Sequence, residues 1–475
     1  MRRVYTSTQI KTVDAITAKY LKITSFELMQ KASSAMFAYL HSYQNLLIVT
    51  GAGNNAGDGF VIATLALLHG KQVVVWCLMP IEKLPDDAKK AAENYLDTGG
   101  KIVLQSPRKP FDCVVDAIFG TGLNREITGK FAAAIDWINH QNSPVFSVDI
   151  PSGLEADTGN VLGCAVQANI TVAVICYKVG LLTNNGKDLC GQLFLEDLGM
   201  TDNLLQSLNP CITRLDKSVL TNPLFQHHHN SHKGSFGKTL VIGGHDGMLG
   251  ALILAGRSAL SSGCGIVEVV SNNQQSVMIS IHCPELITAS NIETARFIED
   301  SNVMAIGPGL GLNQQSKDVL SYCIGLNKPM VIDADAIALI AREKINLPKD
   351  CVFTPHPKEA ATLLETTIAN IQSDRISAAL NIAEKYQATV VLKGSGTIIA
   401  NNGKTYICPY GYSGMATAGM GDVLTGMVAG LMAQGFSPLQ AANCAVTWHA
   451  LAAEDCHKGN CLIATDVINQ LHKVL

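Results

Sequence analysis

Hydrophobic positions along the chain fall in short, unbroken β-branched runs separated by longer stretches of helical period. "NLLIVTG", "VVVWCLM", "FDCVVDAIFG", "PVFSVDIPSG" and "ITVAVICYK" read as strands, and the segments near 58–69, 86–98 and 128–139 read as helices between them. The strands are continuously apolar rather than alternating, as in a parallel sheet covered on both faces. Most end in Gly, Asp or Pro, so polar residues collect at the carboxyl ends, the edge where open α/β sheets bind ligands. The pattern weakens between about 200 and 225, and a second series follows: "KTLVIGG", "GIVEVV", "NVMAIGPG", "PMVIDAD", "CVFTPH" and "TVVLKGSG". The two series show no internal repeat. They predict two different α/β domains, residues 1–211 and 226–475, with a linker over 212–225.

Composition agrees with two compact cores. Of 475 residues, 47% are apolar and 16% charged, which excludes a disordered chain. A net charge of -4 provides no basic surface, so neither nucleic acid nor an acidic membrane is an expected partner. The basic start has no apolar stretch of signal length, and no run approaches the roughly 20 apolar residues of a membrane helix. The 14 cysteines are scattered through apolar runs without a Cys-x-x-Cys pair. Cys456 and Cys461 around His457 come nearest to a metal pair, but buried thiols in a reducing cytoplasm fit the pattern better.

In the first half, Gly51, Gly53 and Ala56 satisfy the G-x-G-x-x-A spacing of dinucleotide-binding loops. That fingerprint also asks for an acid at the end of the following strand, and "VVVWCLMP" has none, so a conventional NAD site is disfavoured. Asn54, Asn55 and Asp58 instead place oxygens and amides at the mouth of a helix. Asp116 and Asp149 end later strands, and Ser152 follows. Such an oxygen-rich crevice suits a hard cation or a polyhydroxylated ligand; the alternative is a set of caps and turns.

In the second half, "SHKGSFGKTLVIGG" imitates the end of a phosphate-binding P-loop, but His232 stands where glycine is required and the strand follows the loop, so a P-loop is rejected. His227, His228, His229 and His232 lack acidic partners at ligand spacing and read as a solvated entry to the domain. "VVLKGSGTIIA" places small residues between two strands, where backbone can approach a ligand. "GMATAGMGD" runs into a helix with Val423, Leu424, Met427, Val428 and Leu431 on one face. Bare N–H groups at that helix tip favour a phosphate. Asp422 beside them repels phosphate as a ligand but makes sense as a base that takes a proton from an attacking hydroxyl; a plain helix cap is the alternative.

"GAGNNAGDGF", "VDAIFGTGL", "VDIPSGLEADTG" and "KVGLLTNNGKDLCGQLFLEDLG" closely resemble, in order, the NAD(P)H-hydrate epimerase domain over roughly residues 10–200. The resemblance implies a Rossmann-like three-layer α/β/α sandwich. It implies substrate contacts from Asn54, Asn55, Ala56, Gly57 and Asp58, from the loop Gly120, Thr121, Gly122, Leu123, Asn124, Arg125 and Glu126, and from Asp149. It further implies potassium held by Asn55, Asp116 and Ser152. Asp149 is the expected acid/base, with Lys178 a second candidate that could equally be a salt-bridging lysine.

"SHKGSFG", "GMLGA", "IGPGLG", "VIDADA", "TPHPKEA", "VLKGSGT" and "GMATAGMGD" resemble the NAD(P)H-hydrate dehydratase of the ribokinase-like superfamily over about residues 230–475. That resemblance implies a ribokinase-like α/β/α domain, with ADP or ATP against Lys393, Gly394, Ser395, Gly396, Thr397 and Gly421. The hydrate would meet Ala251, Gly309, His356 and the catalytic Asp422, with magnesium on the phosphates. Asp333, Asp335 and Glu359 either tune that magnesium or serve as caps and ion pairs. The chain departs from the common motifs at Lys358, Tyr412–Ser413, Ala418 and Met420. Together the resemblances imply a bifunctional, cytoplasmic repair enzyme of hydrated NADH and NADPH. Its expected partners are small molecules, and a homo-oligomer is expected. Two rival readings remain open, a ribokinase-like kinase of a vitamin-precursor alcohol and a non-catalytic nucleotide-binding scaffold.

Overall fold

The computed structural model describes residues 2–208, 212–222, 229–271, 273–342 and 347–475. His227 and His228 lie outside the described residues, as does the end of the expected linker. The chain divides into two compact units, Arg2–Ile212 and Thr213–Leu475.

The first unit runs β1 (Arg2–Tyr5), α1 (Ser7–Leu21), α2 (Ser25–Phe37), β2 (Asn45–Thr50), α3 (Asn54–Leu68), β3 (Gln72–Cys77), α4 (Asp86–Asp97), β4 (Ile102–Val103) and β5 (Cys113–Ala117). It continues through α5 (Gly129–Asn139), β6 (Val145–Val148), β7 (Ile170–Val174), β8 (Tyr177–Lys178), α6 (Gly186–Leu189) and β9 (Gln192–Glu196). Seven parallel strands form one sheet in the order β4-β3-β2-β5-β6-β7-β9, and β1 pairs with β8. Alternate residues of β2 serve opposite cores: Leu46 and Ile48 pack toward α2, α3 and α4, while Leu47 and Val49 pack toward α5. This double burial is why the strands read as unbroken apolar runs. The strand order reverses between β2 and β5, which makes their carboxyl ends the switch point of the sheet. Gly51 is required there, because a Cβ would sit 2.0 Å from the Ile118 carbonyl oxygen.

Two elements differ from the sequence pattern. The helix expected near 58 begins at Asn54, so the asparagines form its first turn after an extended Gly53. The run 170–178 is broken, because Ile175 takes φ 64° and its N–H turns to the Glu196 carbonyl at 2.8 Å. That break brings Lys178 back toward the end of β6.

After β10 (Ile212–Arg214), the second unit contains β11 (Lys238–Ile242), α7 (Leu249–Ser261), β12 (Ile266–Val270), α8 (Asn273–His282), β13 (Ile287–Ala289), β14 (Val303–Ile306), α9 (Gln314–Gly325), β15 (Met330–Ile332), α10 (Ala334–Arg342) and β16 (Cys351–Phe353). There follow α11 (Pro357–Leu363), α12 (Ile368–Ser373), α13 (Arg375–Tyr386), β17 (Thr389–Leu392), β18 (Ile398–Asn401), β19 (Lys404–Ile407), α14 (Met420–Ala433), α15 (Pro438–Asp455) and α16 (Ala464–Gln470). Seven parallel strands run β13-β12-β11-β14-β15-β16-β17, and β18 and β19 extend the sheet antiparallel. Leu215, in the segment expected as a linker, is fully buried in this unit's core.

The sequence marks one apolar face on α14, but the helix is buried all round beyond its first turn, because α7 and α15 both pack on it. Gly426 permits the α7 contact: a Cβ there would lie 2.0 Å from the Ala255 carbonyl oxygen. Among the described residues, no helix is long and apolar enough to cross a membrane.

Candidate active sites

At the switch point of the first unit, the Asp116 carboxylate is fully buried. Its Oδ2 accepts from Ser147 Oγ at 2.9 Å and Ser152 N at 2.8 Å, and its Oδ1 from Ser152 Oγ at 2.6 Å and Ile118 N at 3.3 Å. Burial raises its pKa and these four hydrogen bonds oppose the rise. Ser152 Oγ accepts from Phe119 N at 2.8 Å, and Asn55 Nδ2 donates to the Phe119 carbonyl at 3.1 Å. Asn55, Asp116 and Ser152 thus meet, together with the backbone oxygen of Phe119. Gly120 packs directly against Asn55, whereas Asn124, Arg125 and Glu126 lie on the exposed part of the same loop.

Asp149 follows β6 with φ 66°. Its Oδ1 accepts from Val174 N at 2.9 Å and forms a close ion pair with the buried Lys178. Burial works against the Lys178 charge, but Asp149, Cys176 and Asp14 together outweigh it and the lysine pKa ends above its usual value. Lys178 thus forms a salt bridge, and its partner is the expected acid/base itself. Asp58, in the first turns of α3, accepts from Ser33 Oγ at 2.9 Å. Burial, with Asp149 and Asp14 adding to it, pushes the Asp58 carboxyl up to about 8. Sequence reasoning missed Ser33 and Asp14, which belong to helices that carry no motif.

In the second unit, Gly419 caps α14 with φ 89°, and the first-turn N–H groups have no intrahelical acceptors. Asp422 stands in that turn. Burial first, then the charge of Asp333, pushes its carboxyl up to about 7, with Lys393 pulling the other way. Beneath the tip, Lys393 Nζ donates to Asp333 Oδ1 at 2.9 Å and lies 3.9 Å from Glu359 Oε2. Asp333 Oδ2 accepts from Thr425 Oγ1 at 2.8 Å. Burial opposes both charges, yet the pair holds Asp333 below and Lys393 above their usual values. A Cβ at Gly421 would lie 3.3 Å from Lys393 Nζ, so this ammonium sits directly under the helix tip.

His356 and Glu359 form a reciprocal cap on α11, with His356 N donating to Glu359 Oε2 at 2.8 Å and Glu359 N donating to His356 Nδ1 at 3.1 Å. Burial and the nearby Lys393 charge lower the His356 pKa. Gly309 lies beside Met248 and Ala251, the latter in the first turn of α7. The loop Gly394–Thr397 is underpinned by Arg375, buried at 2% exposure, whose Nη2 donates to the Lys393 carbonyl at 3.3 Å. Nothing in the sequence flagged Arg375 or Thr425. Asp335 Oδ2 accepts from Gly311 N at 2.8 Å. Asp333 thus has both oxygens engaged and Glu359 caps α11, whereas Asp335 has one oxygen on a backbone N–H. Cys456 is partly buried and Cys461 exposed, and no metal-holding cluster of three His, Cys, Asp or Glu residues occurs among the described residues.

The family model described as NAD(P)H-hydrate dehydratase matches residues 239–473, and that described as YjeF-related protein N-terminus matches residues 25–180. The bifunctional NAD(P)H-hydrate repair enzyme of Escherichia coli strain K12 is 36% identical, covering 96% of this chain and 91% of its own length. The chain belongs to the family of bifunctional NAD(P)H-hydrate repair enzymes. The family member from Coxiella burnetii is 35% identical over 99% of each chain. The solved structure of a ribokinase-like superfamily protein from Enterococcus faecalis V583 aligns at 28% identity and TM-score 0.51, over 55% of this chain and 94% of that one. In a repair enzyme of this family, both sites just described occupy the carboxyl edges of parallel sheets, one at a switch point and one at a bare helix tip.

Proposed function

We propose that the first unit interconverts the two epimers of hydrated NADH or NADPH and that the second dehydrates the S epimer at the expense of ADP or ATP. The α14 tip carries this assignment. It combines unpaired N–H groups, the Lys393 ammonium and a carboxyl whose pKa lies near neutrality. Phosphate oxygens settle on the N–H groups and Lys393. Asp422 takes the proton of the hydrate hydroxyl as that oxygen attacks the terminal phosphorus and the shortened nucleotide departs with the bridging oxygen. Phosphate then leaves with the carbon–oxygen electron pair, a neighbouring ring proton passes to water, and the dihydronicotinamide ring is restored. A kinase of a vitamin precursor would instead release a stable phosphorylated alcohol. Magnesium fits this oxygen-rich donor set, where the phosphates and Asp335 would hold it, and it supplies charge neutralisation.

In the first unit, Asp149 exchanges a proton with the hydrate while Lys178 holds it in place. Potassium fits the cluster of Asn55, Asp116, Ser152 and the Phe119 carbonyl. All are hard oxygen donors, and the buried Asp116 carboxyl accepts four hydrogen bonds there. A bound cation there supplies a fixed positive charge near the substrate. Asp116→Asn is expected to lower stability by about 1–3 kcal/mol, because an amide cannot accept all four hydrogen bonds. It should also abolish the rise in Tm that potassium confers on the wild type; an unchanged potassium effect would refute the site.

The thirteen described cysteines are free thiols, which suits a cytoplasmic enzyme. A mixture of both hydrate epimers, given ADP or ATP separately with magnesium and potassium, tests the whole reading. Complete recovery of NADH absorbance is expected, since epimerisation feeds the dehydratase. Recovery that stops when the S epimer is exhausted would remove the first activity. Light scattering on the same preparation tests the expected homo-oligomer.

A further inference from the structure

Arg375 is the first residue of α13, is 2% exposed, and has no part in the chemistry proposed above. Its side chain reaches the end of β17. Nη1 donates to Gln372 Oε1 at 2.7 Å, and Nη2 donates to the carbonyls of Leu392 at 3.4 Å and Lys393 at 3.3 Å. A Cβ on Gly394 would lie 2.8 Å from both Nη1 and Nη2, so the guanidinium rests directly against the Gly394 backbone. Gly394 has φ 143°, which glycine adopts freely and other residues only under strain. One cation thus touches Leu392, Lys393 and Gly394 in succession, where the chain leaves the sheet for the loop Gly394–Thr397.

Physical chemistry gives no structural reason for a charge at this place. Burial lowers the guanidinium pKa to about 10, which still leaves it charged at neutral pH. The positive end of the α13 dipole opposes a cation as well. What arginine adds over an apolar side chain of similar volume is a rigid, flat fork with several donors in fixed directions.

We propose that Arg375 is the positioning residue of the nucleotide site in the second unit. By holding the Leu392 and Lys393 carbonyls and resting on Gly394, it sets the loop Gly394–Thr397 in the shape that receives ADP or ATP. The inference rests on the dehydratase reading above. Within the loop itself, Thr397 Oγ1 donates to the Gly394 carbonyl at 3.1 Å. Arg375 comes instead from a separate helix and ties the loop to the body of the domain. A buried cation beneath the loop also favours an anionic polyphosphate above it. Lys393 Nζ is fixed independently, by Asp333 Oδ1 at 2.9 Å and Glu359 Oε2 at 3.9 Å. Loss of Arg375 therefore leaves that ammonium and Asp422 in place, and nucleotide affinity should separate from the chemical step.

Steady-state dehydration of the S hydrate by the full-length enzyme, with ADP and hydrate varied in turn, tests this. Arg375→Met is expected to raise KM for ADP by about tenfold, with kcat and KM for the hydrate within about threefold of wild type. Arg375→Lys keeps the charge but loses the fork, and should raise KM for ADP by about threefold or more. A smaller rise than threefold in either folded variant overturns the proposal. So does a fall in kcat with KM for ADP unchanged, or an equal rise in both KM values, which a general loosening of the domain would produce. Arg375→Lys decides alone if Arg375→Met does not fold. A wild type without nucleotide-dependent dehydration would remove the dehydratase reading itself, whereas unchanged KM values in variants of an active enzyme remove only the role of Arg375.

Discussion

Asp422→Asn is expected to lower the dehydration rate by about 10²–10⁴-fold while nucleotide binding persists. The amide keeps the volume of the carboxyl but cannot accept the hydroxyl proton. Lys393, Gly421 and the α14 N–H groups, the proposed phosphate contacts, are untouched. Burial and the adjacent Asp333 charge hold the Asp422 carboxyl at about 7, above its ordinary range. Below that pH it carries a proton and is no base, so the wild-type rate should fall about tenfold per pH unit toward acid. The stability sign runs the other way. A folded pKa above the unfolded one stabilises at low pH, and that contribution is lost as pH rises through about 7. Asp422→Asn should therefore gain Tm relative to wild type above pH 7 and lose the acid limb of the rate profile. Thermal scans and single-turnover rates across pH read the two effects; near-wild-type turnover in the variant would refute the base assignment.

Asp149→Asn should reduce epimer exchange by about 10²–10⁴-fold. Asparagine suits this position better than alanine, because φ is 66° and asparagine tolerates left-handed backbone. The substitution also leaves the buried Lys178 ammonium without its partner, and stranding a buried charge costs about 3–5 kcal/mol. Chemistry and stability are separable with Lys178→Met. The double variant should recover much of the lost Tm, since no buried charge is stranded, and should recover no exchange. Proton NMR of an epimer-enriched hydrate follows exchange without the dehydratase. A double variant that restores exchange would show that Asp149 acts only as the counter-ion of Lys178.

Much of both sites was legible because each rests on a local device. A parallel strand that ends in aspartate, or a glycine-rich turn into a helix, places its chemistry within a few residues of a recognisable pattern. Asp116, Asp149 and Asp422 were singled out in this way. What escaped were groups whose function comes from long-range packing. Thr425 reaches Asp333 from 92 positions away, Ser33 reaches Asp58 from 25, and Arg375 supports the Lys393 carbonyl from 18. No periodicity or motif announces such contacts.

The sequence by itself determined the alternation of strands and helices, the parallel character of both sheets, the family and the residue types at the carboxyl edges. These follow from local hydrophobic period and turn chemistry, which act over a few residues. Only the tertiary structure decided that Lys178 pairs with Asp149, that Asp333 is spent on Lys393 and Thr425, and that the carboxyl of Asp422 comes to rest near neutrality. Those outcomes depend on burial and on charges brought close from distant parts of the chain. Desolvation and Coulomb energy are set by three-dimensional distance, which no spacing along the sequence encodes.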